Sequence, residues 1–264
     1  MIKTILGLDL AVASSGWAVV GSGIETGLII TKRVKNRAGQ LEWLDRQRFS
    51  QIGKQFDDLF KKIEAPDLIV LEEAFMSSES PKAGDQIREV HGVVKRCMGD
   101  AGYDCPVLTV HNRTLKRLVT GNGKAEKEEM QAAIEKVTGE HFSHDEADAV
   151  ALAKVGLAVG EFDINCRRCW GRGHTGKGEC TACDGSGFGE PDIVKLVDLL
   201  NPYVDGKRGK EPTNIKLHEL ILNEFGMTVE GLKESKRLAT NAKARKDRAK
   251  AKVLKMKSTK EVQE

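Results

Sequence analysis

Long hydrophobic runs are missing from this sequence of 264 residues. No run approaches the roughly 18 consecutive apolar residues that a membrane-spanning helix needs, so we expect no membrane partner. The first residues also lack the charged segment, apolar segment and small-residue cleavage site of an export signal. We therefore expect a cytoplasmic protein, in which stable disulfides do not form.

Aromatic residues are scarce, at 5% of the chain, and Lys233–Lys257 has none. Stacking on bases is therefore not expected in that segment. The charge there is one-sided: residues 233–264 have 12 Lys or Arg and 4 Asp or Glu, whereas residues 1–232 have 30 and 35. A mildly acidic body with a basic tail predicts a polyanionic partner that the tail contacts through phosphates. The alternative is a solvated helix that only aids solubility.

Phosphate-cradling glycine loops are also missing. The stretch "GNGKAEK" (Gly121–Lys127) does not match G-x-x-x-x-G-K-[ST]. The further glycine-rich loops that an actin-like ATPase needs cannot be found either. These absences argue against a nucleotide-binding protein.

Apolar patterning predicts strands and helices over most of residues 3–160. Three strands fall within residues 3–31, and an amphipathic helix runs from Leu41 to Ile63. A buried strand follows at Asp67–Glu73, and Pro106–Val110 is a fifth strand after a helix. Closing helices complete an α/β fold, a mixed five-stranded sheet with helices on both faces, in the ribonuclease H-like order.

Changes in composition divide the chain into four parts. Residues 1–160 form the α/β domain, and residues 161–190 are rich in Gly and Cys. Residues 191–232 are predicted to be helical and linker-like. Residues 233–264 are the basic tail, whose Ala and Leu favour a helix.

Four acids stand out from this pattern. Asp9 interrupts an apolar run, Glu72 ends a strand, and Asp145 and Asp148 share one helix face because they are three residues apart. Converging carboxylates repel one another, and divalent cations relieve that repulsion. Two Mg²⁺ ions roughly 4 Å apart serve phosphodiester hydrolysis, and Mn²⁺ is possible in their place. The alternative is a set of unrelated surface acids. Glu146, on another side of the helix, is expected to be exposed.

Four stretches occur in an order that resembles one family. They are "ILGLDLAVASSGWAVV", "PDLIVLEEAFM", "LVTGNGKAEKEEM" and "HDEADAVALAK". Together they resemble the RuvC family of Holliday-junction resolvases over roughly residues 2–160. The resemblance implies a ribonuclease H-like nuclease domain, and its implied catalytic tetrad, which holds the Mg²⁺ ions, is Asp9, Glu72, Asp145 and Asp148.

The same resemblance implies DNA contacts and a partner. Lys116 and Lys127 are implied to contact the DNA backbone or support catalysis. Phe75 is implied to contact bases near the crossover, with an ordinary core Phe as the alternative. A homodimer is expected because a four-way junction needs two symmetrical cuts. Two departures stand out: Ala11 replaces the family's glycine-containing turn, and residues 77–94 lack its Gly-x-x-x-Gly dimer helix.

The function expected from these observations is Mg²⁺-dependent cleavage of Holliday junctions or other branched DNA, in a bacterial cell or a bacteriophage-infected host. One alternative is a non-catalytic scaffold that binds branched nucleic acid. Another is a broader branch-clearing nuclease that acts on flaps or RNA–DNA hybrids, such as a bacteriophage uses before packaging its DNA.

Residues 161–190 contain two copies of C-x-x-C-x-G-x-G, with ten residues between the two C-x-x-C pairs. Four thiolates at this spacing suit one structural Zn²⁺, and a redox dithiol pair is the alternative. The repeat resembles half of a DnaJ-type zinc domain. Basic residues in the module make a nucleic-acid contact reasonable, although a purely structural role is equally open. The predicted zinc ligands are Cys166, Cys169, Cys180 and Cys183.

Overall fold

The structure is a computed structural model, which describes residues 4–31, 41–74, 81–161, 174–175, 178–179, 193–196, 200, 215–234 and 237. Phe75 and the four paired cysteines lie outside these residues, so their predicted roles stay predictions. Most of the basic tail also lies outside them. Within the described part of the chain, no helix is long and apolar enough to cross a membrane.

The secondary structure follows the predicted order. The strands are β1 (Ile5–Asp9), β2 (Ser14–Val20), β3 (Ile24–Ile30), β4 (Leu68–Glu72), β5 (Val107–Val110), β6 (His174–Thr175), β7 (Gly178–Glu179) and β8 (Ile193–Lys195). The helices are α1 (Leu41–Phe60), α2 (Pro81–Asp100), α3 (Asn112–Thr120), α4 (Lys127–Thr138), α5 (His144–Glu161) and α6 (Ile215–Glu224). The strands and helices predicted within residues 3–160 are confirmed.

One mixed sheet forms the centre of the molecule. Its strand order is β3-β2-β1-β4-β5-β8. The pairs β1–β2 and β2–β3 are antiparallel, whereas β1–β4, β4–β5 and β5–β8 are parallel. All five predicted strands are present, which confirms the mixed α/β fold.

A sixth strand, β8, corrects the expectation that residues 191–232 are only helical and linker-like. It pairs in parallel with β5, and Leu196 directly after it is fully buried. The open edge of β5 would otherwise present unpaired backbone groups, which favours such an added strand. The strand β8 has only three residues, and a hydrophobic pattern of that length does not distinguish a strand from a helical turn.

The two faces of the sheet are covered by different helices. Alternate residues of β1 divide between them: Ile5 faces the cluster built around α5, whereas Leu6 and Leu8 face the cluster with α1 and α2. Residues of α6, including Leu217 and Ile221, belong to the α5 cluster. Residues 215–224 therefore pack into the core of the α/β domain, although the domain boundaries themselves stay predictions.

Helix α5 lies unusually close to the sheet backbone. A Cβ added to Gly7 in β1 would be 2.2 Å from the carbonyl oxygen of Ala149. A Cβ on Gly156 of α5 would be 2.5 Å from Cγ2 of Ile5. Glycine at both positions permits this approach. Because α5 passes from Ala149 over Gly7 to Gly156 over Ile5, it runs antiparallel to β1, and its first turn lies at the edge where Asp9 ends the strand.

Candidate active site

Two acids meet at the carboxyl edge of the parallel strands. In the β1–β4 pair, Leu8 is the register partner of Leu71. The next residue on each strand is an acid, Asp9 on β1 and Glu72 on β4. Parallel strands therefore bring these two carboxyl groups to neighbouring positions, as the sequence analysis predicted.

Helix α5 brings the other two acids to the same edge. Gly16 in β2 is the register partner of Asp9. A Cβ on Gly16 would be 1.9 Å from the carbonyl oxygen of Asp145, so the first turn of α5 touches the β2 backbone. Asp148 lies one turn further along and its side chain is buried, with 7% exposure. All four predicted acids are thus gathered around the end of β1.

Glu146 holds the first turn of α5 in place. Its Oε2 accepts hydrogen bonds from the Ser143 backbone N–H (3.0 Å) and hydroxyl (2.6 Å), and its Oε1 accepts one from the Thr26 hydroxyl of β3 (3.1 Å). The expectation that Glu146 is exposed is wrong, since the residue is half-buried. The S-x-x-E spacing from Ser143 is a capping-box signature that could have identified this role.

The acids at this edge repel one another. Burial first, and then the charges of Glu72 and Asp148, raise the pKa of Asp9 well above its usual value. Burial, together with the charge of Asp148, raises the pKa of Glu72 to about 7, although a hydrogen bond from Asn112 opposes the rise. Burial raises the pKa of Asp148 to about 6. The group therefore holds more negative charge than its surroundings can stabilise.

Both predicted lysines reach this group. Nζ of Lys127 lies 3.2 Å from Oδ1 of Asp145. Burial would lower the Lys127 pKa, but its hydrogen bond to Asp145 and the nearby carboxylates raise that pKa above its usual value. Lys116 donates a hydrogen bond to the carbonyl of Ala125 (2.7 Å), and both lysines lower the pKa of Asp148.

Asn112 is a site residue that the sequence analysis missed. Its Nδ2 donates to Oε1 and Oε2 of Glu72, at 3.0 and 2.9 Å. Asn112 is the first residue of α3, which follows β5, and β5 pairs in parallel with β4. A polar residue directly after a neighbouring parallel strand was the available signal, because the carboxyl ends of parallel strands share one edge.

The turn after Asp9 is braced without the family's glycine. The Ser15 hydroxyl accepts from the Ala11 N–H (3.0 Å) and donates to the Ala11 carbonyl (2.8 Å). Buried Arg48 donates to the Val12 carbonyl (3.0 Å) and to the Thr31 hydroxyl (3.1 Å). The chain therefore fixes this turn by side-chain hydrogen bonds.

The donor set at this edge fits a divalent cation. Among the residues that the structure describes, no three or more His, Cys, Asp or Glu side chains are arranged to hold a metal ion as they stand. Oδ1 of Asp148 is nevertheless buried and has no hydrogen-bond partner in the described part of the chain. Carboxylate oxygens are the ligands Mg²⁺ prefers, and a cation would relieve the repulsion that raises the pKa of Asp9.

Comparison with known proteins decides the family. The model of the family described as "Crossover junction endodeoxyribonuclease RuvC" matches residues 5–155, which is more than half of the chain. The chain belongs to the RuvC family. The match ends before the cysteine-rich module, so that module and the basic tail lie outside the family match.

Individual RuvC proteins are similar over the same part of the chain. Crossover junction endodeoxyribonuclease RuvC of Brachyspira hyodysenteriae is 29% identical over 157 residues, 56% of this chain and 89% of that protein. RuvC of Carboxydothermus hydrogenoformans is 30% identical over 159 residues, 58% of this chain and 94% of that protein. The solved structure of T. thermophilus RuvC in complex with Holliday junction substrate has 20% identity and a TM-score of 0.46, over 57% of this chain and 90% of that one.

Proposed function

We propose that this RuvC-family chain is a divalent-metal-dependent endodeoxyribonuclease that cleaves Holliday junctions or other branched DNA. The observation that carries the proposal is the gathering of four acids at one sheet edge, with a buried, unpartnered oxygen on Asp148. The RuvC relatives are named as crossover junction endodeoxyribonucleases, which gives the substrate class.

In this proposal two divalent ions, Mg²⁺ or Mn²⁺, are held by Asp9, Glu72, Asp145 and Asp148. When bound, such ions supply positive charge to the scissile phosphate and lower the pKa of water. The chain's own carboxylates position the reacting groups for in-line attack of water on phosphorus, with departure of the opposite sugar oxygen. Lys116 and Lys127 neutralise phosphate charge beside the acids.

The remaining expectations complete the proposal. The chain acts as a homodimer so that two equivalent sites cut opposite strands of a four-way junction. Phe75 contacts bases near the crossover. One structural Zn²⁺ is bound in a separate module by Cys166, Cys169, Cys180 and Cys183. The basic tail binds DNA phosphates.

Nicking assays on branched DNA test the nuclease activity. Asp9→Asn should retain binding to a labelled four-way junction and lose nicking in Mg²⁺, because it removes a charged ligand from the group. Asp58→Asn, on an exposed residue of α1, is the matched control and should nick at the wild-type rate. Undiminished nicking by Asp9→Asn would overturn the assignment. A panel of junction, flap, fork and RNA–DNA hybrid substrates identifies the preferred branch.

The zinc assignment has a separate test. Elemental analysis of the purified chain should find one zinc ion, and Cys166→Ser with Cys180→Ser should lose it, because each pair supplies two of the four thiolates. Zinc retained by the doubly substituted chain would contradict this ligand set.

A further inference from the structure

We propose that Asn112 is a positioning residue that restricts Glu72 to binding a metal ion through one oxygen at a time, which favours Mg²⁺ over Ca²⁺. This inference rests on the proposed function, because it takes Glu72 to be a metal ligand.

The contact between Asn112 and Glu72 is nearly symmetric. A single nitrogen, Nδ2 of Asn112, lies 3.0 Å from Oε1 and 2.9 Å from Oε2 of Glu72. A group that is nearly equidistant from both oxygens lies on the plane midway between them, and an ion bound by both oxygens lies on that same plane. In the proposed role, the amide takes the place that such an ion would need. The opposite orientation of the amide would place its oxygen against the carboxylate, and like partial charges exclude it.

The backbone that carries Asn112 is well anchored. His111, the N-cap of α3, is extended (φ −70°, ψ 133°), and its side chain accepts a hydrogen bond from the Arg113 N–H. Leu115 and Leu118 of α3 are buried in the core. Glu72 is in turn the register partner of Val110, two residues before Asn112. Both partners therefore project from a rigid part of the fold, and the contact is held in place from both sides.

The consequence for metal choice follows from coordination chemistry. Each carboxylate oxygen has two lone pairs, and the Asn112 amide engages one on each oxygen of Glu72. The remaining lone pairs of Oε1 and Oε2 point away from each other, so they suit ions bound through a single oxygen. Mg²⁺ demands near-octahedral geometry with few protein carboxylates, whereas larger Ca²⁺ readily accepts two oxygens of one carboxylate. Without the amide, the two-oxygen mode becomes available.

Isothermal titration of Mg²⁺ and of Ca²⁺ into the full chain, without DNA, tests this proposal. Asn112→Ala should lower Mg²⁺ affinity about tenfold or more, the range found when groups that orient metal ligands are removed. Ca²⁺ affinity should fall less, so the ratio of Mg²⁺ to Ca²⁺ affinity decreases. Asn112→Leu, which retains the side-chain volume without a donor, should behave in the same way. Thr114→Ala, in the same turn of α3, is the matched control and should leave both affinities unchanged.

Two further measurements separate the possible failures. Thermal unfolding of each variant identifies loss of the fold, and the Leu variant retains the packing if the Ala variant is destabilised. An unchanged affinity ratio in both folded variants overturns the role of Asn112 and leaves the proposed function standing. Mg²⁺ binding that is unaffected by Glu72→Gln would instead overturn the proposed metal site, and the inference with it.

Discussion

The two faces of the sheet are packed by different kinds of side chain. On the face under α5, small residues of the helix lie against glycine backbone, as at Ala149 above Gly7. On the face under α1 and α2, large side chains such as Ile52, Phe56 and Met98 fill the space. The first face positions acids and tolerates little added volume near Asp9. The second face stabilises the domain, and none of its described side chains is among the four acids of the candidate site.

The largest expected effect is that of Gly16→Ala. The added Cβ would be 1.9 Å from the Asp145 carbonyl oxygen, and backbone cannot move aside as a flexible side chain can. We expect a loss of roughly 3 kcal/mol in the free energy of unfolding, at the upper end of typical overpacking costs. Nicking should be lost because the first turn of α5 moves away from Asp9. Urea unfolding and the junction assay measure both, and a variant with normal stability and activity would contradict the close contact.

Asp148→Asn should stabilise the metal-free protein at alkaline pH. Because burial raises the folded-state pKa of Asp148 to about 6, folding loses stability as pH rises from about 4 through about 6. Removing the charge should therefore raise the free energy of unfolding by roughly 2–3 kcal/mol at pH 8. At pH 4 and below this gain should be absent. Unfolding with a chelator present at both pH values measures the difference, and equal gains at the two pH values would contradict the assigned cause.

Glu146→Gln should lower the free energy of unfolding, whereas Asp148→Asn should raise it, although the two residues are only two positions apart. Hydrogen bonds from Ser143 and Thr26 outweigh the effect of burial and lower the Glu146 pKa. Its contribution is therefore present above the unfolded pKa and is lost as pH falls through the folded pKa. We expect a loss of about 1 kcal/mol at pH 7, because Gln can still accept hydrogen bonds but lacks the charge that makes bonds to a carboxylate about that much stronger than neutral ones. Thr26→Val, which removes only the bond to β3, should cost less in the same unfolding assay.

The smallest effect is expected on the α2 side. Gly92 is exposed within α2, and a Cβ there would meet no atom within 4 Å. Gly92→Ala should stabilise the protein by roughly 0.5–1 kcal/mol, because alanine restricts the unfolded chain and favours helix. Nicking by the folded variant should match the wild type. A loss of stability, or of the proposed dimer in sedimentation, would show that this face of α2 is covered by a partner.

Together these substitutions compare one chemical change on the two faces. Gly16→Ala and Gly92→Ala each add one methyl group, yet the first is expected to lower the free energy of unfolding and the second to raise it. The sign depends on whether the neighbouring atom is the α5 backbone or solvent, which the local sequence around each glycine does not reveal.

Most of the α/β domain could be predicted because its elements are long and strongly patterned. The helix from Leu41 and the strand ending at Glu72 follow from apolar spacing alone. The short strand β8 could not be predicted in this way, because three residues have no measurable period and its partner β5 is more than 80 residues away.

The amino-acid sequence by itself determined the order of the strands and helices, the acids they carry, and, with the family match, the class of protein. Local hydrophobic periodicity and motif order are sufficient for these, since both are properties of neighbouring residues. Only the tertiary structure decided that Asn112 binds Glu72, that Glu146 is tied to Thr26, and that Gly16 lies against Asp145. These contacts join residues 40 to about 130 positions apart, and their existence depends on the close approach of backbones across the folded sheet.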